Sequence, residues 1–102
     1  MPYLFTYVWY PPPMANTISK RYLEVLQKYP TPSYIKRLVP AANSSGKDGV
    51  ENINVDEVKE ADVGKAITYL TTAMVEFRDI EGFRYEIRIF LTVIEGLKLV
   101  GM

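Results

Sequence analysis

Residues 3–10 read Tyr3-Leu4-Phe5-Thr6-Tyr7-Val8-Trp9-Tyr10 and contain no charged side chain. Successive side chains of a β-strand point to opposite faces, and both alternations of this run are mainly apolar. A strand with one face open to water would alternate apolar with polar residues. The run therefore predicts a central strand buried on both faces, and in a chain this short we expect a partner chain to cover one of them.

The composition is that of one globular domain spanning residues 1–102. Hydrophobic residues make up 48% of the chain, and its 12 basic and 12 acidic residues balance to a net charge of zero. The charges are interspersed, so the chain offers no electrostatic footprint for nucleic acid or for an anionic membrane. We therefore expect neither as a partner.

The chain contains no cysteine and no histidine. Disulfides and thiol chemistry are thereby excluded, and the commonest metal ligand and proton carrier near neutral pH is lacking. We expect no metal and no cofactor. The apolar N-terminus has no basic region and is halted by three prolines, which is not typical of a signal peptide, and a cytoplasmic location is expected.

The rest of the chain alternates helix and strand patterns. The segments expected up to residue 58 are a helix capped by Asn16 or Thr17 and ended by Pro30, a strand over 34–39 closed by Pro40, a polar hairpin loop over 43–49 and a strand over 50–58. Beyond them, Asp62 is the expected cap of a second helix, whose apolar stripe runs from Val63 to Phe77 at helical spacing.

The C-terminal part predicts a strand over 83–91 and a last short helix. In the strand, apolar residues alternate with Arg84, Glu86 and Arg88, which indicates a polar outer face. Thr92 and Glu95 have the spacing of a capping box. We expect Leu97 and Leu99 to anchor the tail.

The element order βαββαβ predicts an α+β, ferredoxin-like fold with a four-stranded antiparallel sheet and the helices on one face. In that topology the first and third strands are central, which suits the uncharged first strand. The second and fourth strands are edges, where charged residues such as Lys36 and Arg88 are typical.

Two helices cover only one face of such a sheet. If the aromatic residues at positions 3, 5, 7 and 9 face away from the helices, they offer roughly 600–1,000 Å² of apolar surface, at about 150–250 Å² each. A standard interface buries about 800 Å² per partner. We therefore expect a homodimer joined sheet to sheet, and the sequence leaves open which face of the first strand meets the helices.

From Tyr3 to about Val100, this element order, the aromatic first strand, the charged edge strands and the short last helix resemble the dimeric α/β-barrel superfamily. Its members include antibiotic-biosynthesis monooxygenase-like proteins and stress-responsive barrel domains. The resemblance implies two sheets that close into a barrel across a dimer. It also implies a cavity between sheet and helices, where active members bind aromatic or polycyclic molecules.

The resemblance also suggests candidate site residues. Its haem-binding members generally depend on a histidine, which this chain lacks, so that branch is not expected. Its cofactor-free monooxygenases use Asn, Trp and Arg to hold a phenolic substrate, and the corresponding residue types here include Asn52 or Asn54. The candidate ligand-binding residues are Tyr7, Trp9, Arg37, Asn54 and Arg88. Each of them also has a purely structural interpretation, in the core, at an interface or on a solvated strand face.

The sequence therefore predicts a small homodimeric ferredoxin-like protein that binds a ligand or a partner without catalysis. The alternative is a cofactor-independent monooxygenase or isomerase that acts on a small aromatic compound. No catalytic residue is assigned, and the candidate partners are a second copy of the chain and a small aromatic ligand.

Overall fold

A computed structural model describes residues 1–102 and has an α+β architecture with four strands and three helices. The elements are β1 (Tyr3–Tyr10), α1 (Ala15–Lys28), β2 (Ile35–Gly46), β3 (Gly49–Val58), α2 (Val63–Val75), β4 (Arg84–Phe90) and α3 (Val93–Leu99). Short 3₁₀ turns over Pro12–Met14 and Glu60–Asp62 lead into α1 and α2.

The four strands form one sheet in the order β2-β3-β1-β4, and each neighbouring pair is antiparallel. The uncharged first strand is therefore central, between β3 and β4. The charge-bearing strands β2 and β4 lie at the two edges, where unpaired backbone groups meet solvent.

Both long helices pack on the same face of the sheet. At one end of β1, Val8 and Tyr10 are buried together with residues of α1, of the second half of α2 and of the segment that follows α2. At the other end, Leu4 is buried with Ala66 and Leu70 of α2. The even-numbered residues of β1 thus face the helices, and the odd-numbered aromatic residues lie on the opposite face, which we call the free face.

Strand β2 corrects one expected boundary, because it does not end at Pro40. The pairing of β2 with β3 continues to Gly46, with register shifts between Arg37 and Ala42. Proline has no N–H to donate to a neighbouring strand. It is tolerated here because β2 is an edge strand and the irregular segment needs no hydrogen bond from this position. The hairpin loop shortens accordingly to the two residues between Gly46 and Gly49.

The expected cap of α1 is also wrong. The helix begins at Ala15 with Met14 at the cap position, and no side chain caps it. The prolines set the preceding 3₁₀ turn, whose backbone leads directly into the helix, so Asn16 and Thr17 are already helical. Prolines are favourable in a first turn because their missing N–H needs no partner there.

In α3 the expected capping box is confirmed. The Thr92 hydroxyl accepts a hydrogen bond from the Glu95 N–H at 3.1 Å, and Glu95 Oε1 accepts one from the Thr92 N–H at 2.8 Å. The expectation that Leu97 and Leu99 anchor the tail is wrong, since they are 44% and 76% exposed. Helix α3 follows the end of β4, and its apolar side chains find little cover within the chain.

An ionic network joins α1 to the segment after α2. Arg21 Nη1 lies 2.7 Å from Asp79 Oδ1, and Lys28 Nζ lies 2.7 Å from Glu76 Oε1. The Tyr29 hydroxyl donates a second hydrogen bond to Glu76. The hydrogen bond from Lys28, followed by that from Tyr29, lowers the pKa of Glu76, and the hydrogen bond from Arg21 lowers the pKa of Asp79.

These lowered pKa values predict a loss of stability in acid. A carboxylate whose pKa is lower in the folded than in the unfolded state stabilises the fold at pH values above its unfolded-state pKa. This contribution disappears as the pH falls through the pKa of the folded state. We expect the free energy of unfolding to fall with pH below about 4.5, where unfolded carboxyl groups begin to take up protons. Urea denaturation of wild type and Glu76→Gln across this range measures it. The variant should show a shallower decrease, and an identical decrease in both proteins would contradict the assignment to Glu76.

Candidate functional site

A cavity of about 250 Å³ lies between α1 and the helix-covered face of the sheet. Its wall is mainly apolar. The side chains that form this wall include Val8, Tyr10, Ile18, Tyr22, Phe77 and Phe83. An apolar cavity of about 150 Å³ is enough for benzene, so this one has room for a single ring with a small substituent.

One side of the cavity is polar and consists of Asn43, Asn52 and Asn54. Asn43 lies opposite Asn52 in the pairing of β2 with β3, and Asn54 follows two residues further along the same face of β3. Asn52 Nδ2 donates to Asn43 Oδ1 at 2.7 Å, and Asn43 Nδ2 donates to the Ala41 carbonyl at 3.0 Å. Asn54 is only 9% exposed, and its Oδ1 accepts a hydrogen bond from the Ala41 N–H.

This arrangement reverses the usual polarity of a half-buried strand. In β3 the apolar residues Ile53 and Val55 are on the free face, because they pair with Tyr7 and Phe5. The polar residues Asn52, Asn54 and Asp56 point toward the helices instead. Such a departure from the hydrophobic pattern is expected where a function requires buried polar groups.

The backbone at Ala41 is strained at the point where it meets the asparagines. Its φ is 34°, in a region that residues other than glycine rarely adopt. A conformation of this kind costs about 1–3 kcal/mol and persists where its surroundings hold it. Here the side chain of Asn54 binds the N–H of Ala41 and that of Asn43 binds its carbonyl, so the asparagine cluster fixes the bulge of β2 that borders the cavity.

An ion pair lies on the same face of the sheet, two residues along β3 from Asn54. Arg37 Nε and Nη2 donate to the two oxygens of Asp56 at 2.8 and 3.2 Å, and the Asp56 side chain is fully buried. Burial opposes the charge of Arg37, but the hydrogen bond and the charge of Asp56 outweigh it, so the pKa of the guanidinium is raised. Both charges therefore lie close to the cavity, but they neutralise each other.

The five candidate ligand residues divide between the two faces of the sheet. Asn54 lines the cavity, and Arg37 is on the same face in its pair with Asp56. Tyr7, Trp9 and Arg88 lie on the free face. One cavity therefore cannot hold all five, because the sheet itself separates the two groups.

Asn43 and Ala41 were not predicted as site residues. Asn43 is part of a polar, turn-like stretch whose sequence favours a loop, and nothing in that stretch indicates pairing with Asn52. The role of Ala41 depends on the bulge after Pro40, which forms only when β2 pairs with β3. No local signal could have identified either residue.

The free face carries a row of aromatic rings along β1. The centroids of Phe5 and Tyr7 are 6.0 Å apart, and those of Tyr7 and Trp9 are 5.8 Å apart. Phe90 packs edge-on against Phe5, and the Arg84 guanidinium lies 5.6 Å from the centre of the Trp9 ring. These contacts leave the rings half-buried, so the apolar area open to a partner is smaller than the sum for fully exposed rings.

No group of three or more acidic side chains is arranged to hold a metal ion. None of the helices combines the length and the apolar composition that crossing a membrane requires.

No protein-family model matches the chain, and no curated protein matches it either. Among solved structures, the de novo designed protein Foldit4 is similar, with a TM-score of 0.51 at 10% sequence identity over 89% of this chain and 96% of that chain. At this identity the likeness concerns the fold alone. It supports the α+β arrangement and gives no indication of a ligand or an activity.

Proposed function

We propose that this protein is a small ligand-binding domain that holds one neutral, mainly apolar ring compound in the cavity between α1 and the sheet. Mainly apolar walls combined with a polar cluster of three asparagines on one side support this proposal. Binding pockets for small molecules are typically apolar, with a few polar groups that fix the orientation of the ligand. No charged side chain lines the cavity, and the nearby charges of Arg37 and Asp56 neutralise each other.

Binding is favoured over the alternative of cofactor-free oxygenation or isomerisation. That chemistry would require Asn, Trp and Arg to converge on one substrate. Asn54 and Trp9 lie on opposite faces of the sheet, because Trp9 pairs with Glu51 while Asn54 pairs with Thr6. Within one chain, no substrate in the cavity could contact both.

The proposal includes the ferredoxin-like arrangement and a homodimer joined through the free face. The sheet order and the two helices on one face support the arrangement, to which α3 is an addition. The free face combines the aromatic row of β1 with Ile53, Val55 and Phe90. This apolar strip, bordered by charged side chains such as Glu86 and Arg88, would be stabilised by burial against a second copy. Helix α3 adds an exposed apolar stripe next to Tyr3, at one end of that row.

Isothermal titration with single-ring compounds such as p-cresol tests the binding function. We expect saturable binding to wild type and at least tenfold weaker binding to Ser19→Trp, because Ser19 is an exposed residue of α1 that borders the cavity and an indole there would close it. Thr17→Trp is the matched control, since Thr17 is exposed on the same helix but does not border the cavity. Absence of binding to every single-ring compound, or equal binding by both variants, would contradict the proposal.

A further inference from the structure

The hydrogen bonds of the asparagine cluster define the orientation of each side-chain amide. Asn54 Oδ1 accepts from a backbone N–H, which can only donate, and Asn43 Nδ2 donates to a backbone carbonyl, which can only accept. Asn43 therefore presents its oxygen to Asn52, and Asn52 must donate through its nitrogen. None of these three side-chain amides can be rotated by 180° without losing a hydrogen bond.

Two polar atoms remain without a protein partner once these bonds are made. Asn54 uses its oxygen for Ala41, so its Nδ2 donor is left over, and Asn52 uses its nitrogen for Asn43, so its Oδ1 acceptor is left over. Both atoms are accessible to solvent or to a ligand. The Thr6 hydroxyl is the one fully buried side-chain polar atom that has no hydrogen-bond partner, so neither asparagine atom is fully buried. Both residues border the cavity, and they lie two positions apart on the same face of β3.

We infer that the cavity recognises a neutral carboxamide or lactam, an inference that rests on the proposed binding function. The carbonyl oxygen of such a group accepts from Asn54 Nδ2, and its N–H donates to Asn52 Oδ1. The two Cα atoms are roughly 7 Å apart, as for residues i and i+2 of a strand, which leaves room for one amide edge between the two side chains. The ring that carries the amide occupies the apolar part of the cavity.

The same arrangement disfavours two related groups. A carboxylate would place an anionic oxygen against Asn52 Oδ1, where two acceptors repel each other. A ketone satisfies Asn54 but leaves Asn52 Oδ1 facing a methyl group. Sites that hydrogen-bond a polar group discriminate strongly against an analogue that lacks it, because their own polar atoms then remain unpaired.

Three compounds of nearly equal size separate these cases: benzamide, acetophenone and benzoate. We expect benzamide to bind wild type about tenfold more tightly than acetophenone, as one additional hydrogen bond allows. Benzoate should bind more weakly than either. Equal affinities of benzamide and acetophenone would overturn the amide inference and leave ring binding intact, whereas no binding of either would also overturn the proposed function.

Two variants assign the effect to individual atoms. Asn52→Leu retains the size of the side chain but removes the acceptor, so the ratio of benzamide to acetophenone affinity should fall to about one while acetophenone still binds, which also shows that the variant is folded. Asn54→Asp retains an oxygen for the Ala41 N–H but removes the donor, and both compounds should bind at least tenfold more weakly. Asn16→Asp, on the exposed side of α1, is the charge-matched control and should match wild type. An unchanged affinity ratio in Asn52→Leu would overturn the inference.

Discussion

Replacing Arg37 with leucine is expected to lower the free energy of unfolding by about 3–5 kcal/mol, the usual cost of removing one partner of a buried ion pair. The Asp56 side chain is fully buried, and Arg37 donates to both of its oxygens. Without the guanidinium, the carboxylate would be buried without a counter-charge. A domain of about 100 residues has a total stability of roughly 5–15 kcal/mol, so the loss would be a large part of it.

Urea denaturation at one fixed protein concentration measures this effect. Lys65→Leu is the matched control, because Lys65 of α2 is 63% exposed, lies away from the free face, and its 3.2 Å ion pair with Asp62 should contribute less than about 1 kcal/mol. The double variant Arg37→Leu, Asp56→Leu removes both charges and should recover most of the stability. If Arg37→Leu were no less stable than Lys65→Leu, Asp56 would not depend on Arg37 as proposed.

Replacing Tyr7 with lysine is expected to dissociate the proposed homodimer, with an increase of at least 100-fold in its dissociation constant. Tyr7 lies in the middle of the aromatic row, so a lysine there would have to be buried in the interface. Within the monomer the change should be tolerated. The residue opposite Tyr7 on β4 is Glu86, and oppositely charged residues that face each other across strands stabilise a sheet.

Sedimentation velocity over a range of concentrations distinguishes the two states. Wild type should sediment as a dimer and Tyr7→Lys as a monomer of unchanged secondary structure. Thr72→Lys adds the same charge on the exposed side of α2 and should remain a dimer. A monomeric wild type would refute the dimer, and a dimeric Tyr7→Lys would place the interface elsewhere, with the apolar surface of α3 as the first candidate.

Several elements could be predicted because their signals are local. The capping box of α3 involves residues three positions apart, and the apolar stripe of α2 is contained within one helix. The central position of β1 also follows from its own residues, since both of its alternations are apolar. The edge positions of β2 and β4 follow from the element order, since charge alone does not separate them from the central strand β3, which carries Glu51, Asp56 and Glu57.

Features that depend on pairing between strands could not be predicted. The continuation of β2 beyond Pro40 requires an edge position and a bulge, which arise only when β3 lies alongside. Which face of β3 meets the helices could not be predicted either. Its alternation of Ile53 and Val55 with asparagines suggests that the asparagines are exposed to solvent. The opposite arrangement is stabilised by contacts with β2, namely Asp56 with Arg37 and Asn54 with Ala41.

The candidate site was partly predictable for the same reason. Asn54 was identified, but Tyr7, Trp9 and Arg88 were grouped with it because the two faces of β1 cannot be distinguished by hydrophobicity. The helices determine which face becomes a cavity wall, and they do so through the packing of Val8, Tyr10 and Leu4.

A ¹H–¹⁵N NMR titration of the wild-type protein with benzamide reports which face of the sheet the ligand contacts. We expect saturable shifts of the side-chain amides of Asn52 and Asn54 and of the backbone amides of Ala41 and Phe77, with the Trp9 indole signal unchanged. Shifts centred on Trp9 and Tyr7, or no saturable shift at all, would contradict a binding site between α1 and the sheet.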